Sequence, residues 1–345
     1  MLETLSNPYL CLVVIIIGFV LLIYGADWLV NGASALAKRF GVSDLVIGLT
    51  IVAFGTSMPE FIVSLLAALQ DNTEIAITNI LGSNAINVFV ILGLSAVIYP
   101  VASQAQSRRF DIPWSLLAGL LVLFFAIYTR PIHFAWGNWG AFSFQRGFIS
   151  GCGGAVLLLC FLVFLWHSFQ NAHRDEDNTE VNNPDEINEN ALSYSLPKAV
   201  LLILVGLLCL VLGGEAIVRS ATAFAKQLGV SDAIIGLTIV ALGTSLPELA
   251  TSCVAAAKHN SDLAIGNVIG SNIFNVFFVL GTSAVIHPLP TYDGLCLDAL
   301  MVTLSSLMVM LFVYLDCDHK IRRWHGALLL LTYAIYLTYR LLTLA

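Results

Sequence analysis

The sequence predicts an all-α integral membrane protein of about ten transmembrane helices, arranged as two inverted repeats of five helices each. Three observations support this fold class: a very apolar composition, a series of apolar stretches long enough to cross a bilayer, and two pairs of segments that repeat along the chain at one constant spacing. The repeated segments also carry polar residues within apolar stretches, so we expect the functional residues to lie in these segments.

The composition excludes an ordinary soluble domain. Of the 345 residues, 58% are hydrophobic and 11% are charged, whereas about 25% are charged in a typical soluble domain. The chain lacks a basic patch that would suggest nucleic acid, and its Cys and His residues lack metal-binding spacing. We expect the lipid bilayer to be the main partner, with no cofactor, no nucleic acid and no obligatory protein partner.

Apolar stretches of about 20 residues match the length of helix that crosses a hydrocarbon core about 30 Å thick. Polar breaks between these stretches delimit ten predicted spans. The spans lie near 9–35, 43–69, 75–98, 113–129, 147–168, 197–224, 231–257, 263–286, 295–315 and 325–343.

A polar segment divides these spans into two groups of five. It is rich in Asn, Asp and Glu and has no apolar periodicity, which indicates a solvated linker. We therefore predict a first five-helix repeat at 1–169, an acidic linker at 170–196 and a second five-helix repeat at 197–345.

Two pairs of segments establish the internal repeat. Gly41–Glu60 and Gly229–Glu248 are identical at 16 of 20 positions, at an offset of 188 residues. The same offset aligns Ala76–Ile98 with Ala264–Ile286, with 15 of 23 positions identical. Chance similarity between apolar helices does not place Gly, Asn, Ser, Pro and Glu in register, so the two halves are related.

The offset covers five spans, an odd number, so equivalent helices would cross the membrane in opposite directions. Cytoplasmic loops are rich in Lys and Arg, and alternating assignment of the loops puts ten of the 15 such residues on one side. We expect a multi-pass protein of the cell (inner) membrane, with the acidic linker in the cytoplasm and both termini extracytoplasmic. The ten residues are Lys38, Arg39, Arg108, Arg109, Arg174, Lys198, Lys258, Lys320, Arg322 and Arg323.

Glu60 and Glu248 lie near the middle of their predicted spans. An ionised carboxylate at that depth costs at least ~2.5 kcal/mol, so each glutamate calls for an explanation. A protonated side chain hydrogen-bonded between helices is the alternative to a functional carboxylate. Occurrence of the same motif in both halves favours a functional role.

Each glutamate follows a proline that lacks the N–H needed for a regular helical hydrogen bond. Pro59 and Pro247 should therefore bend their helices and leave the carbonyls of Gly55 and Gly243 unbonded. Residues three and four positions apart share a helix face, so hydroxyl and carboxylate oxygens can converge there. The residues concerned are Thr56, Ser57 and Glu60 in the first half and Thr244, Ser245 and Glu248 in the second.

The second repeated segment supplies further oxygen atoms at helical spacing. Ser83 and Asn87 are four residues apart, as are Ser271 and Asn275. The alternative role for these residues is to join helices, since Ser, Asn and Gly pack helices closely in membranes. That alternative is equally open for Asn84 and Asn272, and it is preferred for Gly82, Gly93, Gly270 and Gly281.

Oxygen ligands without His or Cys select hard cations. Two carboxylates with several neutral oxygens suit Ca²⁺ better than hydrated Mg²⁺, and transition metals are disfavoured. Two negative charges balance one Ca²⁺, two Na⁺ or two protons equally well. Such a site is suited to exchange.

The motifs GTSMPE and GTSLPE, followed by GSNAIN and GSNIFN, resemble the two alpha-repeats of the cation/calcium antiporter superfamily, in its bacterial and archaeal sodium/calcium exchanger-like branch. The resemblance covers about residues 8–343. It implies ten spans, a central group of ion sites on the second, third, seventh and eighth spans, and sliding of the first and sixth spans for alternating access.

The resemblance also implies the ligands, with Glu60, Glu248, Thr56 and Thr244 as metal ligands and the carbonyls of Ala53 and Ala241 as further contributors. The full set of implied cation-binding residues is Thr56, Ser57, Glu60, Ser83, Asn87, Thr244, Ser245, Glu248, Ser271 and Asn275.

One residue departs from the pattern of some relatives. Potassium-dependent exchangers have Asp at the position of Asn275, so potassium co-transport is not expected. We expect a transporter and not an enzyme, exchanging Ca²⁺ for Na⁺, with a Ca²⁺/H⁺ antiporter on the same scaffold as the alternative. A channel would conduct without counter-transport, and a membrane enzyme would need a nucleophile motif or metal triad, which the sequence lacks.

Overall fold

The chain folds as a bundle of helices, several of them broken, in a computed structural model that describes residues 8–70, 72–128, 148–171, 194–229, 241–290, 292 and 294–344. In chain order, the segments are α1 (Pro8–Phe40), α2 (Asp44–Ile47), a π-helical segment (Gly48–Val52), α3 (Ala53–Thr56), α4 (Met58–Leu69), α5 (Thr73–Ile86), a π-helical segment (Asn87–Leu92), α6 (Gly93–Ile98), β1 (Val101–Ala102), a π-helical segment (Ser107–Asp111), α7 (Ile112–Tyr128), β2 (Phe148–Ile149), α8 (Gly151–Asn171), α9 (Leu196–Gln227), α10 (Ala241–Thr244), α11 (Leu246–Ala257), α12 (Ser261–Ile273), a π-helical segment (Phe274–Leu280), α13 (Gly281–Ile286), β3 (Leu289–Pro290), α14 (Leu295–Leu315), β4 (Lys320–Ile321) and α15 (Arg323–Leu344).

The helices lie where the sequence predicts membrane spans. Within the described residues, seven helical stretches are long and apolar enough to cross a bilayer, and the bent pair Asp44–Thr56 and Met58–Leu69 makes an eighth if it counts as one span. The seventh predicted span lies partly in 230–240, and most of the predicted linker lies in 172–193, both outside the described residues. The all-α membrane class is confirmed, while the count of ten spans and the division into repeats stay predictions.

Helices α1 and α9 pack closely against each other because glycines lie at their contact points. A Cβ atom on Gly18 would lie 2.9 Å from the carbonyl oxygen of Gly213, and one on Gly206 would lie 2.7 Å from that of Gly25. The contacts run in opposite order along the two helices, so α1 and α9 are antiparallel. The offset of 188 residues makes Gly18 equivalent to Gly206 and Gly25 equivalent to Gly213.

Helices α7 and α14, which are also equivalent at this offset, pack in the same way. The hydroxyls of Ser115 and Ser306 are 3.1 Å apart, and a Cβ atom on Gly119 would lie 3.0 Å from the Cα of Thr303. The serine contact and the glycine contact again run in opposite order. Two pairs of equivalent helices are therefore antiparallel.

The continuous stretches Thr73–Ile98 and Ser261–Ile286 form the centre of the bundle. In their most apolar 18-residue windows, 78% and 94% of the residues are buried, and their aromatic side chains Phe89 and Phe277 are inaccessible to solvent. The outer helices instead expose large apolar residues, as expected for a surface that faces lipid.

Two short antiparallel strand pairs fasten the loops, and the sequence pattern did not predict them. Val101 pairs with Ile321 and Ala102 with Lys320. At a second position, Phe148 pairs with Pro290 and Ile149 with Leu289. Each strand has two residues, so these pairs tie the loops together without forming a separate layer.

Candidate cation site

Two broken helices place the repeated glutamates, as the prolines predict. The span from Asp44 to Leu69 bends by 48° between α3 and α4, where Ser57 has φ −85° and ψ 7°. Ser245 takes nearly the same conformation, φ −89° and ψ 7°, between α10 and α11. Since Pro59 and Pro247 cannot donate to the preceding turn, each helix restarts at its Ser-x-Pro-Glu sequence.

The two glutamates are fully buried and each is hydrogen-bonded across the interface between the halves. Ser57 donates to Oε1 of Glu248 at 2.8 Å, and Ser245 donates to Oε1 of Glu60 at 3.2 Å. All four side chains have 1% or less of their surface exposed. The serine of each motif thus binds the glutamate of the other motif and not its own, which helical spacing within one motif did not predict.

Four asparagines join the two central stretches. The Nδ2 atom of Asn84 donates to the backbone carbonyl of Asn272 at 3.1 Å, and Asn272 returns the bond to Asn84 at 3.2 Å. Asn87 donates to Oδ1 of Asn272 at 3.0 Å, and Asn275 donates to Oδ1 of Asn84 at 3.1 Å. Asn84 and Asn272 therefore connect helices, while Asn87 and Asn275 keep their own Oδ1 atoms available.

A set of buried oxygens around the glutamates has no hydrogen-bond partner among the residues that the structure describes. An unsatisfied buried polar group costs about 1–3 kcal/mol, so several of them in one place require an explanation. Six of these oxygens form three pairs that are equivalent at the offset of 188 residues. They are Glu60 Oε2 and Glu248 Oε2, Ser83 Oγ and Ser271 Oγ, and Asn87 Oδ1 and Asn275 Oδ1, and Thr244 Oγ1 is a seventh.

These oxygens are close enough to act together. Ser83 lies beside Glu60, Ser271 and Thr56 lie beside Glu248, and the two glutamates are close enough for the charge of one to affect the other. The result is a buried group of carboxylate, hydroxyl and amide oxygens with unused lone pairs. Hard cations such as Ca²⁺ and Na⁺ bind to oxygens of these types. This group of oxygens can therefore bind such a cation once the cation has lost its hydration water.

The two threonines of the motifs differ from each other. Thr56 is buried, and its hydroxyl contacts the carbonyl oxygen of Ala53 at 3.3 Å and Oδ1 of Asn267 at 3.1 Å. Thr244 is only partly buried, and its hydroxyl has no hydrogen-bond partner within the described part of the chain. The first-half motif therefore makes a threonine–asparagine hydrogen bond that the second-half motif does not make among the described residues.

The sequence pattern did not predict a role for Asn79 and Asn267, which donate hydrogen bonds to the backbone carbonyls of the two glutamates. The Nδ2 atom of Asn79 donates to the backbone carbonyl of Glu60 at 3.2 Å and to Ser64 at 2.9 Å. Asn267 makes the equivalent bonds to Glu248 at 3.3 Å and Ser252 at 2.8 Å. A signal was present, because both asparagines are identical residues of the repeat, four positions before its serine.

Two π-helical segments begin at or beside the candidate asparagine ligands. One covers Asn87–Leu92 and the other Phe274–Leu280, which includes Asn275. A π-helical segment changes the hydrogen-bond register within an otherwise regular helix, and such segments are frequent at functional sites. Their positions in the two halves are equivalent, which supports a shared role in orienting the amide oxygens.

Comparison with known proteins identifies the family of the chain. The chain matches the family described as sodium/calcium exchanger protein over residues 10–170 and 198–342. The chain belongs to this family. The resemblance read from the GTSMPE and GTSLPE motifs is thereby confirmed, and the family is one of cation/calcium antiporters, transporters by function.

Individual relatives of this exchanger-family chain cover most of its length. It is 30% identical to the sodium/calcium exchanger MaX1 of Methanosarcina acetivorans, with 94% of this chain and 96% of that protein covered. It is 36% identical to the inner membrane protein YrbG of Escherichia coli, with 79% of each covered. A solved structure of the sodium-calcium exchanger NCX_Mj, soaked with 2.5 mM Na⁺ and 0.1 mM Ca²⁺, is 32% identical, with a TM-score of 0.77, 95% of this chain covered and 98% of that chain.

Proposed function

We propose that this chain is a secondary antiporter that exports Ca²⁺ in exchange for entering Na⁺. The observation that carries the proposal is the set of buried oxygens without hydrogen bonds, because it includes both glutamates and repeats in both halves. Membership in the sodium/calcium exchanger family supports the same function. The related proteins MaX1 and NCX_Mj are themselves named as sodium/calcium exchangers.

Ca²⁺ takes six to eight oxygen ligands in flexible geometry, and the two halves together offer enough oxygens for it. Glu60 and Glu248 neutralise the two positive charges of one Ca²⁺, or those of two Na⁺ ions that replace it. Thr56 and Thr244 complete the set of metal ligands. Hydroxyl and amide oxygens supply further coordination for either ion, and we assign this role to Ser57, Ser83, Asn87, Ser245, Ser271 and Asn275.

Ten spans in two inverted repeats are part of the same proposal. The antiparallel packing of α1 on α9 and of α7 on α14 supports it, because equivalent helices of inverted repeats must run in opposite directions. We place the chain in the cell's inner membrane, with the termini outside and the acidic linker in the cytoplasm, as the Lys and Arg distribution indicates.

The driving ion is tested by separating the sodium gradient from the proton gradient. Purified protein in sodium-loaded proteoliposomes is expected to take up radioactive calcium when the pH gradient is collapsed by an ionophore. Uptake that requires a pH gradient and does not depend on the sodium gradient would establish the Ca²⁺/H⁺ alternative. Calcium flux that needs no counter-ion would indicate a channel and contradict the proposal.

Asn275→Asp is expected to make calcium transport more sensitive to pH and to potassium than it is in the wild type. The substitution adds a third carboxylate to a buried cluster, where like charges favour a bound proton or an additional monovalent cation. The measurement is initial calcium flux across a pH series, with and without potassium. The control is Thr332→Ser on α15, whose hydroxyl bonds to its own helix and is exposed.

Two outcomes would contradict this expectation. Identical pH and potassium profiles for the wild type and Asn275→Asp would place Asn275 outside the ion cluster. A wild-type protein that needs potassium for calcium exchange would contradict the assignment of a two-carboxylate site.

A further inference from the structure

The short connection between α11 and α12 is attached to α1 by an ion pair. The Nζ atom of Lys258 lies 2.6 Å from Oδ1 of Asp27 and donates to Oδ1 of Asn31 at 2.7 Å. Asn31 in turn donates to Oδ2 of Asp27 at 3.1 Å. One ammonium group therefore holds two side chains of α1 that lie one helical turn apart.

A second residue of the same connection reaches two helices. The Nδ2 atom of Asn260 donates to Oδ2 of Asp44, at the start of α2, at 2.6 Å and to Oγ of Ser34 on α1 at 3.1 Å. Its Oδ1 atom accepts the backbone N–H of Leu263 at 3.0 Å and so caps α12. This residue thus ties the beginning of α12 to both α1 and α2.

Among the described residues, the equivalents in the other half make no such attachment; Asp232, the equivalent of Asp44, lies outside the described part of the chain. Arg219, the equivalent of Asn31, pairs with Glu215 on its own helix, the equivalent of Asp27, and both are well exposed. The hydroxyl of Thr222, the equivalent of Ser34, is buried and has no hydrogen bond to the described residues. Gln70 and Asn72, equivalent to Lys258 and Asn260, are exposed and make no side-chain hydrogen bond to the described part of the chain.

The difference is chemical as well as conformational. A glutamine at position 70 has no charge, so it cannot form the ion pair that Lys258 forms even if the helices around it rearranged. The hydroxyl of Thr56 is hydrogen-bonded to Asn267 on α12, the helix that follows the Lys258 connection. The hydroxyl of Thr244, the equivalent of Thr56, has no hydrogen-bond partner among the described residues. The Lys258 ion pair and the Thr56–Asn267 hydrogen bond are thus two contacts of this connection and of α12 that have no equivalent among the described residues of the other half.

We propose that six residues form a latch that holds the Lys258 face of the protein closed and makes the conformer open at the opposite face the resting state. The latch consists of Asp27, Asn31, Ser34, Asp44, Lys258 and Asn260. This inference rests on the proposed antiport function, since a resting state matters only where a site opens to each face in turn. The proposal adds that the two faces of the protein differ in how readily they open.

Lys258→Gln tests the latch by giving this connection the residue that the other half already has. Loss of the ion pair is expected to raise the population of the conformer open at the Lys258 face. With the protein reconstituted in one orientation, the ratio of apparent calcium affinities at the two faces should shift about two- to five-fold in favour of the Lys258 face. Hydrogen–deuterium exchange of residues 258–263 should increase in the same variant.

Arg219→Gln is the matched control, because it breaks the exposed pair within α9 and should leave both measurements unchanged. The double variant Asp27→Lys with Lys258→Asp restores an ion pair with the two charges exchanged. It should return the affinity ratio and the deuterium exchange toward their wild-type values. Asp27→Asn provides a second, milder way to weaken the latch and should act like Lys258→Gln.

The exchange measurement keeps this inference separate from the proposed function. Wild-type protein that transports no calcium against sodium would contradict the antiport proposal, while deuterium exchange would still report whether the connection is held. Unchanged affinity ratios and unchanged deuterium uptake in both Lys258→Gln and Asp27→Asn would overturn the latch. An equal shift in Arg219→Gln would also overturn it, because the effect would then not be specific to this face.

Discussion

Glu60→Gln and Glu248→Gln are each expected to abolish sodium-driven calcium uptake while the protein still folds. Glutamine keeps the volume of the side chain but removes one of the two negative charges that face the cation in a site closed to water. Attraction between charges is strong where the dielectric is low, so we expect a loss of at least about 100-fold, which corresponds to ~2.7 kcal/mol. The measurement is initial calcium uptake into sodium-loaded proteoliposomes.

Glu215→Gln is the matched control for these variants. This carboxylate is about half exposed and pairs within its own helix, so its neutralisation should leave calcium uptake near the wild-type rate. Normal uptake by either buried-glutamate variant, at equal amounts of folded protein, would show that the cation does not need both carboxylates. Loss of uptake in Glu215→Gln as well would point to a general electrostatic effect.

Gly270→Ala is expected to lower thermal stability and to reduce exchange strongly. A Cβ atom at this position would lie 2.7 Å from the carbonyl oxygen of Leu49, 2.8 Å from its Cα and 2.8 Å from Cβ of Ala53. None of these atoms belongs to the far end of a flexible side chain, so α12 would have to move away from the helix that carries Thr56. Overpacking of this kind costs about 1–3 kcal/mol, and thermal unfolding in detergent, followed by calcium uptake, measures both effects.

Gly214→Ala, on α9, is the control for this glycine. The nearest atoms to a Cβ there are 3.8 Å away, an ordinary contact, and alanine favours a helix by up to about 1 kcal/mol over glycine. Its thermal stability should therefore equal or exceed that of the wild type. A Gly270→Ala protein as stable and active as the wild type would mean that the contact between α12 and Leu49 can widen without cost.

Much of the candidate site could be predicted from the sequence because its residues occur twice in register. The repeat identified the buried glutamates, the proline that breaks each helix, and the serine and asparagine of the second segment. Apolar length predicted where membrane-spanning helices would lie, because it depends on composition and not on contacts between distant residues. The packing role preferred for Gly93, Gly270 and Gly281 also agrees with the structure, where a Cβ on each would lie against a backbone carbonyl. It is wrong for Gly82, because no atom lies within 4 Å of where its Cβ would be.

The remaining features depend on contacts between residues far apart in the chain. Nothing in the spacing of Ser57 indicates that it bonds to Glu248, 191 residues away. The π-helical segments depend on a local change of hydrogen-bond register that side-chain periodicity does not reveal. The bonds of Asn79 and Asn267 to the glutamate carbonyls become visible only in three dimensions, because an asparagine at a helix interface can equally be a packing contact.

The crossed pairing of serine and glutamate has a consequence for the origin of the protein. A half-length ancestor would have carried one glutamate and one serine, but each would have lacked the partner that it has here. Two copies inserted in opposite directions, packed as α1 and α9 pack today, would have supplied both. In one chain each half keeps the partner that the other supplies, while residues outside the pairing, such as Lys258 and Gln70, can differ between the halves.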